Sequence, residues 1–421
     1  MTKHEKICTR LVELLLQVPP AARAGFARQH LQPRYAAISQ YFQSLPPAQR
    51  ARTVLFVSIQ PHSRETRLAD AARLAGWDCL LLHQAPCRYE ASRHFHFHAQ
   101  IEDILQLVLA CWLFPGALVH LFALRGDHAL LLCATKQKPV VVDFYDTCSG
   151  FLAANPEEKF TEQQALARAD GITMRDLRVK YLQRLHGYKL PPERVFIHDP
   201  PPERLDDPSP IIRPPDDPIR VVSVGWADSD EHSFLRISRA FCAAGIHVHL
   251  FLNPHQDANH RDIVPYRQLH SENPCFHLEP PLYGTDYIRQ IRSYDFGLAI
   301  SERFIFDEPS TFYTPDYLRG CGSSRLTDFI QLGLGVIVSP QFRFQHYWAK
   351  RYAQTTVPAT RELLADPQKF LRAALAAKRA RFLAPITVQG VSHRLGRFYE
   401  RVAARIPASA QPIPKVALPI A

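Results

Sequence analysis

Asp295-Phe-Gly-Leu-Ala-Ile-Ser-Glu302 and, after a loop, Cys321-Gly-Ser-Ser-Arg-Leu-Thr-Asp-Phe-Ile-Gln-Leu-Gly-Leu-Gly-Val-Ile-Val-Ser339 form the stretch on which the architecture turns. The apolar run over 296–300 reads as a buried strand, 324–332 as a helix closed by Gly333, and 336–339 as the next strand. A buried strand, a crossover helix and a second buried strand belong to a parallel sheet covered by helices. The helix starts at Ser323 or Ser324, where serine is a favoured cap and the free amides behind it offer an anion site. Arg325, in the first turn, opposes the positive end of the helix dipole unless a bound diphosphate resolves the conflict. Asp328 lies one turn further on, where a carboxylate can accept two hydroxyl hydrogen bonds from a ribose. The plain alternative for Arg325 and Asp328 is an i, i+3 surface ion pair worth about 0.3 kcal/mol.

The same alternation extends outward in both directions. Toward the N-terminus, strands are predicted at 53–58, 79–83, 117–122, 140–144, 171–173 and 195–197, with helices near 64–75, 99–113, 127–135, 162–169 and 175–186. A second series runs from a strand at 219–224 through a helix at 231–244, a strand at 246–252, a less regular middle and a helix at 285–293. Between the series, residues 199–218 hold eight prolines and six acidic residues, which favours solvated, extended chain over a core. The expected organisation is therefore a helical N-terminal extension at 1–50, a first domain at 51–198, a linker at 199–217, a second domain at 218–405 and a Pro- and Ala-rich tail at 406–421. Each domain is expected to be a Rossmann-like parallel β/α/β sheet. The two face a cleft at the carboxyl ends of their strands. A helix over 391–404, with Leu395, Phe398, Tyr399 and Val402 on one face, is placed to cross back toward the first domain.

Composition excludes several classes. At 421 residues with 46% hydrophobic and 21% charged, the chain is globular and too long for one ordinary core. Its apolar stretches are interrupted, as 104–124 is by Gln106, Pro115, Gly116 and His120, so no membrane span is expected. The first turns carry charge and no cleavage signal follows, which suggests a cytoplasmic location. The nine cysteines include no C-x-x-C pair and read as buried thiols. The net charge of +10 is concentrated on 1–50 and on the C-terminal half, while 199–217 is acidic. A basic surface attracts phosphates in general, and the extension could touch the inner face of a membrane or be a solvated face. Nucleic-acid binding lacks the interleaved aromatic and basic motifs it requires. Dinucleotide oxidoreduction, acyl-enzyme hydrolysis and Walker-type chemistry lack their motifs: the first strand runs into Ile59-Gln-Pro-His-Ser63 with no G-x-G-x-x-G.

The stretch around 322–338 resembles the nucleotide-sugar site of GT-B glycosyltransferases, especially the large retaining family 4-like group. There a strand is followed by a serine, a basic residue, an acid three residues on and a Gly-containing turn into the next strand. Residues 51–400 carry the likeness more diffusely. It implies a transferase, hexosyltransferase-like and metal-independent, that moves a sugar from a nucleotide-sugar to an acceptor (glycan, lipid-linked glycan or protein) without a cofactor. Arg325 would contact the donor phosphates with Ser323 and Ser324, and Asp328 the ribose. Gly225, after the strand Val222-Ser-Val224, would let backbone approach a phosphate. The pattern also departs from the family. Gly320 stands where many members carry a second acid, making Glu302 the nearest upstream acid. Tyr145 stands where many place a histidine, flanked by Asp143 and Asp146. Either Asp146, Asp143 or Glu302 has taken over the chemistry, or the chain is a GT-B-like scaffold that has lost transfer.

Three further motifs have plainer readings. Asp228-Ser-Asp230 matches a metal-binding D-x-D but precedes a helix, so dipole capping is the expected role. His94-Phe-His-Phe-His98 could align three imidazoles; a loop lining the acceptor side of the cleft is preferred to a metal site. His120 either reaches the cleft or is a satisfied core histidine.

Overall fold

In a computed structural model of the chain, the described residues are 3–405 without 88, 124–125, 145, 178–181, 185–186, 198–213, 215–216, 231–232, 254–255, 258 and 378–387. The tail, Tyr145 and nearly all of the linker thus lie outside the described residues. Strands β1 Thr53–Ser58, β2 Asp78–His83, β3 Phe97–Gln100, β4 Leu118–Ala123, β5 Val140–Phe144, β6 Gly171–Met174 and β7 Val195–Ile197 form one sheet in the order β3-β2-β1-β4-β5-β6-β7. Strands β8 Arg220–Gly225, β9 His247–Leu252, β10 Phe276–Glu279, β11 Phe296–Ala299, β12 Gly335–Val338 and β13 Thr356–Pro358 form a second, ordered β10-β9-β8-β11-β12-β13. All pairings are parallel. The central strands β1, β4 and β5 are buried along their whole length, which is why their sequences are continuous apolar runs rather than alternating ones. In both sheets the order reverses beside the first strand, between β1 and β4 and between β8 and β11. That opens a crevice at the carboxyl ends.

Three strands escape the sequence reading. β3, β10 and β13 are three or four residues long and lie at sheet edges, where most of their positions are half-buried or exposed, so they lack the apolar run that marks an interior strand. The His94–His98 segment is accordingly not a cleft loop but the end of a short helix, Ala91–His94, followed by edge strand β3. The helix predicted at 231–244 begins only at Leu235, and the described part of 175–177 is not helical.

The extension at 1–50 is part of the first domain's core. Its helices bury Val12, Leu15, Ala27, Ile38 and Phe42 against residues from the Ile104–Leu113 and Gly126–Ala134 helices. Arg23, fully buried, donates to the carbonyls of Thr135 at 2.9 Å and Lys136 at 3.2 Å, and its guanidinium lies 5.3 Å from the Trp112 ring centroid. A positive charge placed on carbonyls just past a helix end is favourable, so one basic residue of the extension is structural.

The closing helix, Val388–Ala403, packs on the first domain, the side toward which the sequence places it. Val391, Leu395, Phe398, Tyr399 and Val402 pack with Val54, Phe56, Leu68 and Leu118 of the first domain. Its apolar face is the reason, since that stripe completes the outer layer over β1 and β4. No described helix is long and apolar enough to cross a membrane.

Candidate functional site

A cavity of about 350 Å³ lies between the two halves, at the carboxyl ends of β1, β5, β8 and β11. Gly225, Ser323, Ser324 and Arg325 line it from the second domain, and His62, Arg64, Asp146 and Arg175 from the first. The halves meet around it. Asp176 accepts from the Gly322 amide at 2.9 Å, the Leu177 amide donates to the Gly320 carbonyl, and Phe151 bridges Tyr313.

The Ser324–Gln331 helix points its N-terminus at this space. Ser323 is its cap residue, with extended backbone, but its hydroxyl makes no capping hydrogen bond, which leaves the amides of Ser324 and Arg325 without a cap from that side chain. Gly225 ends β8 with φ +117°, a backbone conformation that side-chain-bearing residues rarely adopt. A Cβ at Gly225 would lie 3.7 Å from the Arg325 guanidinium carbon, so the two predicted phosphate contacts are neighbours. Arg325 is partly buried and makes no hydrogen bond or ion pair among the described residues. Burial pulls its pKa below the ordinary arginine value, partly offset by Tyr287 and Tyr313, and the guanidinium stays charged. Helix amides and a partly desolvated guanidinium face the same space, an arrangement whose chemistry suits an anion.

Asp328 is elsewhere. It is buried outside the cavity, with Oδ1 2.7 Å and Oδ2 2.9 Å from Arg67 of the first domain and Oδ2 accepting from Tyr287 at 2.8 Å. It does not pair with Arg325 and does not line that cavity. The carboxylate is committed to a bidentate interdomain bridge.

The three acids expected to act separate in the same way. Asp146 lines the cavity, accepts from the Tyr317 hydroxyl and lies 3.5 Å from Arg175. Asp143 is fully buried beneath it. Arg64 donates to Asp143 at 2.8 Å, and Thr173 donates to the same oxygen. Since the Thr173 hydroxyl proton goes to Asp143, the His120 Nε2–H donates to Thr173 at 3.1 Å. Tyr399 then donates to His120 Nδ1 at 2.6 Å. His120 is thus a satisfied core histidine that does not reach the cleft. Glu302 is also buried away from the cavity. It accepts from the Ile237 amide at 2.9 Å and from Ser233, and so caps the Leu235–Ala243 helix from another segment. Burial pushes its pKa up against the pull of those donors. With the cap supplied by Glu302, Asp228 and Asp230 are left in a turn: Asp228 accepts from the Asp230 amide, and Asp230 pairs with Arg303.

The histidines of 94–98 diverge. His94 bonds Asp70 at 2.9 Å, His96 accepts from the Cys79 amide at 3.3 Å, and His98 stacks toward His83.

No protein-family model and no curated protein matches the sequence. Solved structures do match in shape. A glycosyltransferase from Rickettsia africae superposes with a TM-score of 0.55 at 11% identity, covering 85% of this chain and 100% of that one. Anabaena HepE in complex with UDP-glucose gives 0.52 at 10% identity, covering 83% and 98%. The UDP-GlcNAc 2-epimerase of Methanocaldococcus jannaschii, bound to UDP-GlcNAc and UDP, gives 0.51 at 10% identity, covering 82% and 98%. The fold is GT-B.

Within this GT-B fold, the sequence reading missed Arg64, Arg67 and Arg175. Arg64-Glu-Thr-Arg67 puts three charges into the first turns of the Ser63–Leu74 helix directly after β1, and all three are buried. A charged turn at the carboxyl end of the first strand is the signal that could have found them. Trp226, 45% exposed and lining the cavity beside Gly225, is an aromatic face open to a ligand.

Proposed function

We propose that the cleft binds a nucleotide-sugar and that the chain is a glycosyltransferase. The observation that carries this reading is Arg325, a guanidinium without an ionic partner among the described residues, set against Gly225 at a helix N-terminus. The donor's diphosphate lies on Arg325 and the first-turn amides. As the bond from the sugar's anomeric carbon to the diphosphate oxygen breaks, negative charge grows on the leaving group, and fixed donors in a desolvated site favour that change. The acceptor hydroxyl oxygen forms the new bond, and its proton passes to Asp146. Tyr317 and Arg175 orient this carboxylate as an acceptor. The charge compensation comes from the chain itself, so the reading calls for neither a metal nor a cofactor in the cleft. The glycosyltransferases and the epimerase of like fold, some bound to UDP-sugars, support a nucleotide-sugar as the ligand class. The acceptor class is open among glycan, lipid-linked glycan and protein.

Calorimetric titration with a panel of nucleoside diphosphates tests the assignment. At least one binds the parent, and Arg325→Ala weakens it by about 1.5–3 kcal/mol, the scale of a charge-assisted contact, while affinity for the bare nucleoside is little changed. Equal diphosphate affinity in parent and variant would remove Arg325 from the site.

A further inference from the structure

At the opposite end of the second sheet from the cleft, two adjacent strands bring together histidines that no sequence spacing connects. His247 and His249 are two residues apart on β9, so both project from one face. His277 of β10 is the register partner of His249. Each of the three offers a ring nitrogen within 4.8 Å of the others. His247 Nδ1 and His277 Nε2 are 3.0 Å apart, and the His249 and His277 rings stack at 4.1 Å. His249 Nδ1 lies 2.9 Å from Glu279, which follows two positions after His277 on the same face.

We propose that His247, His249 and His277 form a binding site for a divalent late first-row transition metal, with Zn2+ as its representative, oriented by Glu279. Three imidazoles with a carboxylate make a nitrogen-rich, borderline-soft donor set, which suits zinc, copper or nickel and not magnesium or calcium. Ligand nitrogens around a tetrahedral ion at about 2.1 Å stand about 3.4 Å apart, so the His247–His277 pair already has ligand spacing. His249 closes the remaining gap by side-chain rotation. The Glu279 carboxylate accepts the His249 Nδ1 proton, which leaves the Nε2 lone pair for the ion, the arrangement by which carboxylates orient metal-bound histidines. Two ring nitrogens facing each other at 3.0 Å share one proton between two lone pairs, and a cation there replaces it.

All three histidines are partly exposed, which gives an ion a path from solvent. β10 is an edge strand four residues long, and an ion shared between β9 and β10 would pin it to the sheet. The role is structural. The cavity is lined by Asn253, just past the far end of β9, roughly 20 Å along the strand from His247 at about 3.3 Å per residue.

The full chain, stripped with a chelator and dialysed, is titrated calorimetrically with ZnCl2 and melted with and without the ion. The parent binds Zn2+ saturably at one ion per chain and melts higher in its presence. His249→Ala and His277→Ala each weaken binding more than about tenfold, Glu279→Gln weakens it about 10- to 100-fold, and His96→Ala leaves it unchanged. Co2+ added to the parent gives visible absorption from imidazole ligation, a readout that needs no variant to fold. Absence of saturable Zn2+ binding and of the Co2+ spectrum in the parent overturns the site. So does undiminished affinity in folded His249→Ala and His277→Ala chains, or an equal loss in His96→Ala.

Discussion

Asp146 is placed by aromatic packing rather than by its own strand. It lies just beyond β5, and Tyr317 from the second domain reaches across to donate to it. Tyr317 in turn stacks on Tyr313 with ring centroids 4.4 Å apart, and Gly150 makes room for it, since a Cβ there would lie 2.1 Å from the Tyr317 ring. A base held in this way should be sensitive to a change of charge and insensitive in binding. Asp146→Asn is expected to lower donor turnover at least about a hundredfold, the usual scale for an acid or base, with nucleotide affinity nearly unchanged. Steady-state rates set beside calorimetry check this, and a fully active variant would take Asp146 out of the mechanism. Parent chains that bind donors without turning them over would favour the scaffold reading. The place of Asp146 at the cleft was legible because it follows a buried strand at its carboxyl end. Asp143, three residues earlier, was equally visible in the sequence, yet its Cβ points into the protein, where Arg64 and Thr173 consume it.

The Ser63–Leu74 helix joins the two domains. Arg64 and Arg67, three residues apart, leave its first turns in similar directions, the first to Asp143 and the second across the interface to Asp328. Both ends of the Arg67–Asp328 pair are about 95% buried, with exposures of 4% and 5%, so removing one partner strands a charge without water. Arg67→Ala is expected to cost about 3–5 kcal/mol in denaturant unfolding. Arg67→Met combined with Asp328→Leu should cost clearly less, because no charge is then left unpaired. A single-variant cost below about 0.5 kcal/mol would mean that the bridge contributes only what a surface pair does. The helix itself was legible from its sequence, as was the Ser324–Gln331 helix facing it. Their pairing was not, because the acid that a ribose-binding role would claim has the same local sequence whether it meets a hydroxyl or a guanidinium. Glu302 teaches the same lesson, since capping the Leu235–Ala243 helix from 65 residues away leaves no mark in the residues beside either.

Across the whole molecule, the chain returns on itself: the Val388–Ala403 helix leaves the second domain and completes the core of the first. Leu395 is fully buried there, and Gly396 lets the helix approach so closely that a Cβ would stand 2.7 Å from that of Ala75. Leu395→Ala is expected to destabilise the first domain by about 2–5 kcal/mol, measured by chemical denaturation, with the exposed Arg397→Ala as the neutral control. An equally small effect from both would show that the first domain stands without the helix. The alternation of buried runs and amphipathic helices in the sequence was enough to determine two parallel sheets, because strand burial and helix periodicity are written into neighbouring residues. That Ser323, Ser324 and Arg325 line the cleft was also legible locally, since they sit on one turn at the start of a helix that follows a strand's carboxyl end. Tertiary structure alone decided that Asp143 and Glu302 are drawn into buried pairings, where the N-terminal helices pack, and that three histidines on neighbouring strands converge. The physical reason is distance along the chain. Arg67 and Asp328 are 261 residues apart, and such a contact depends on how whole sheets are placed, which no local pattern of residues encodes.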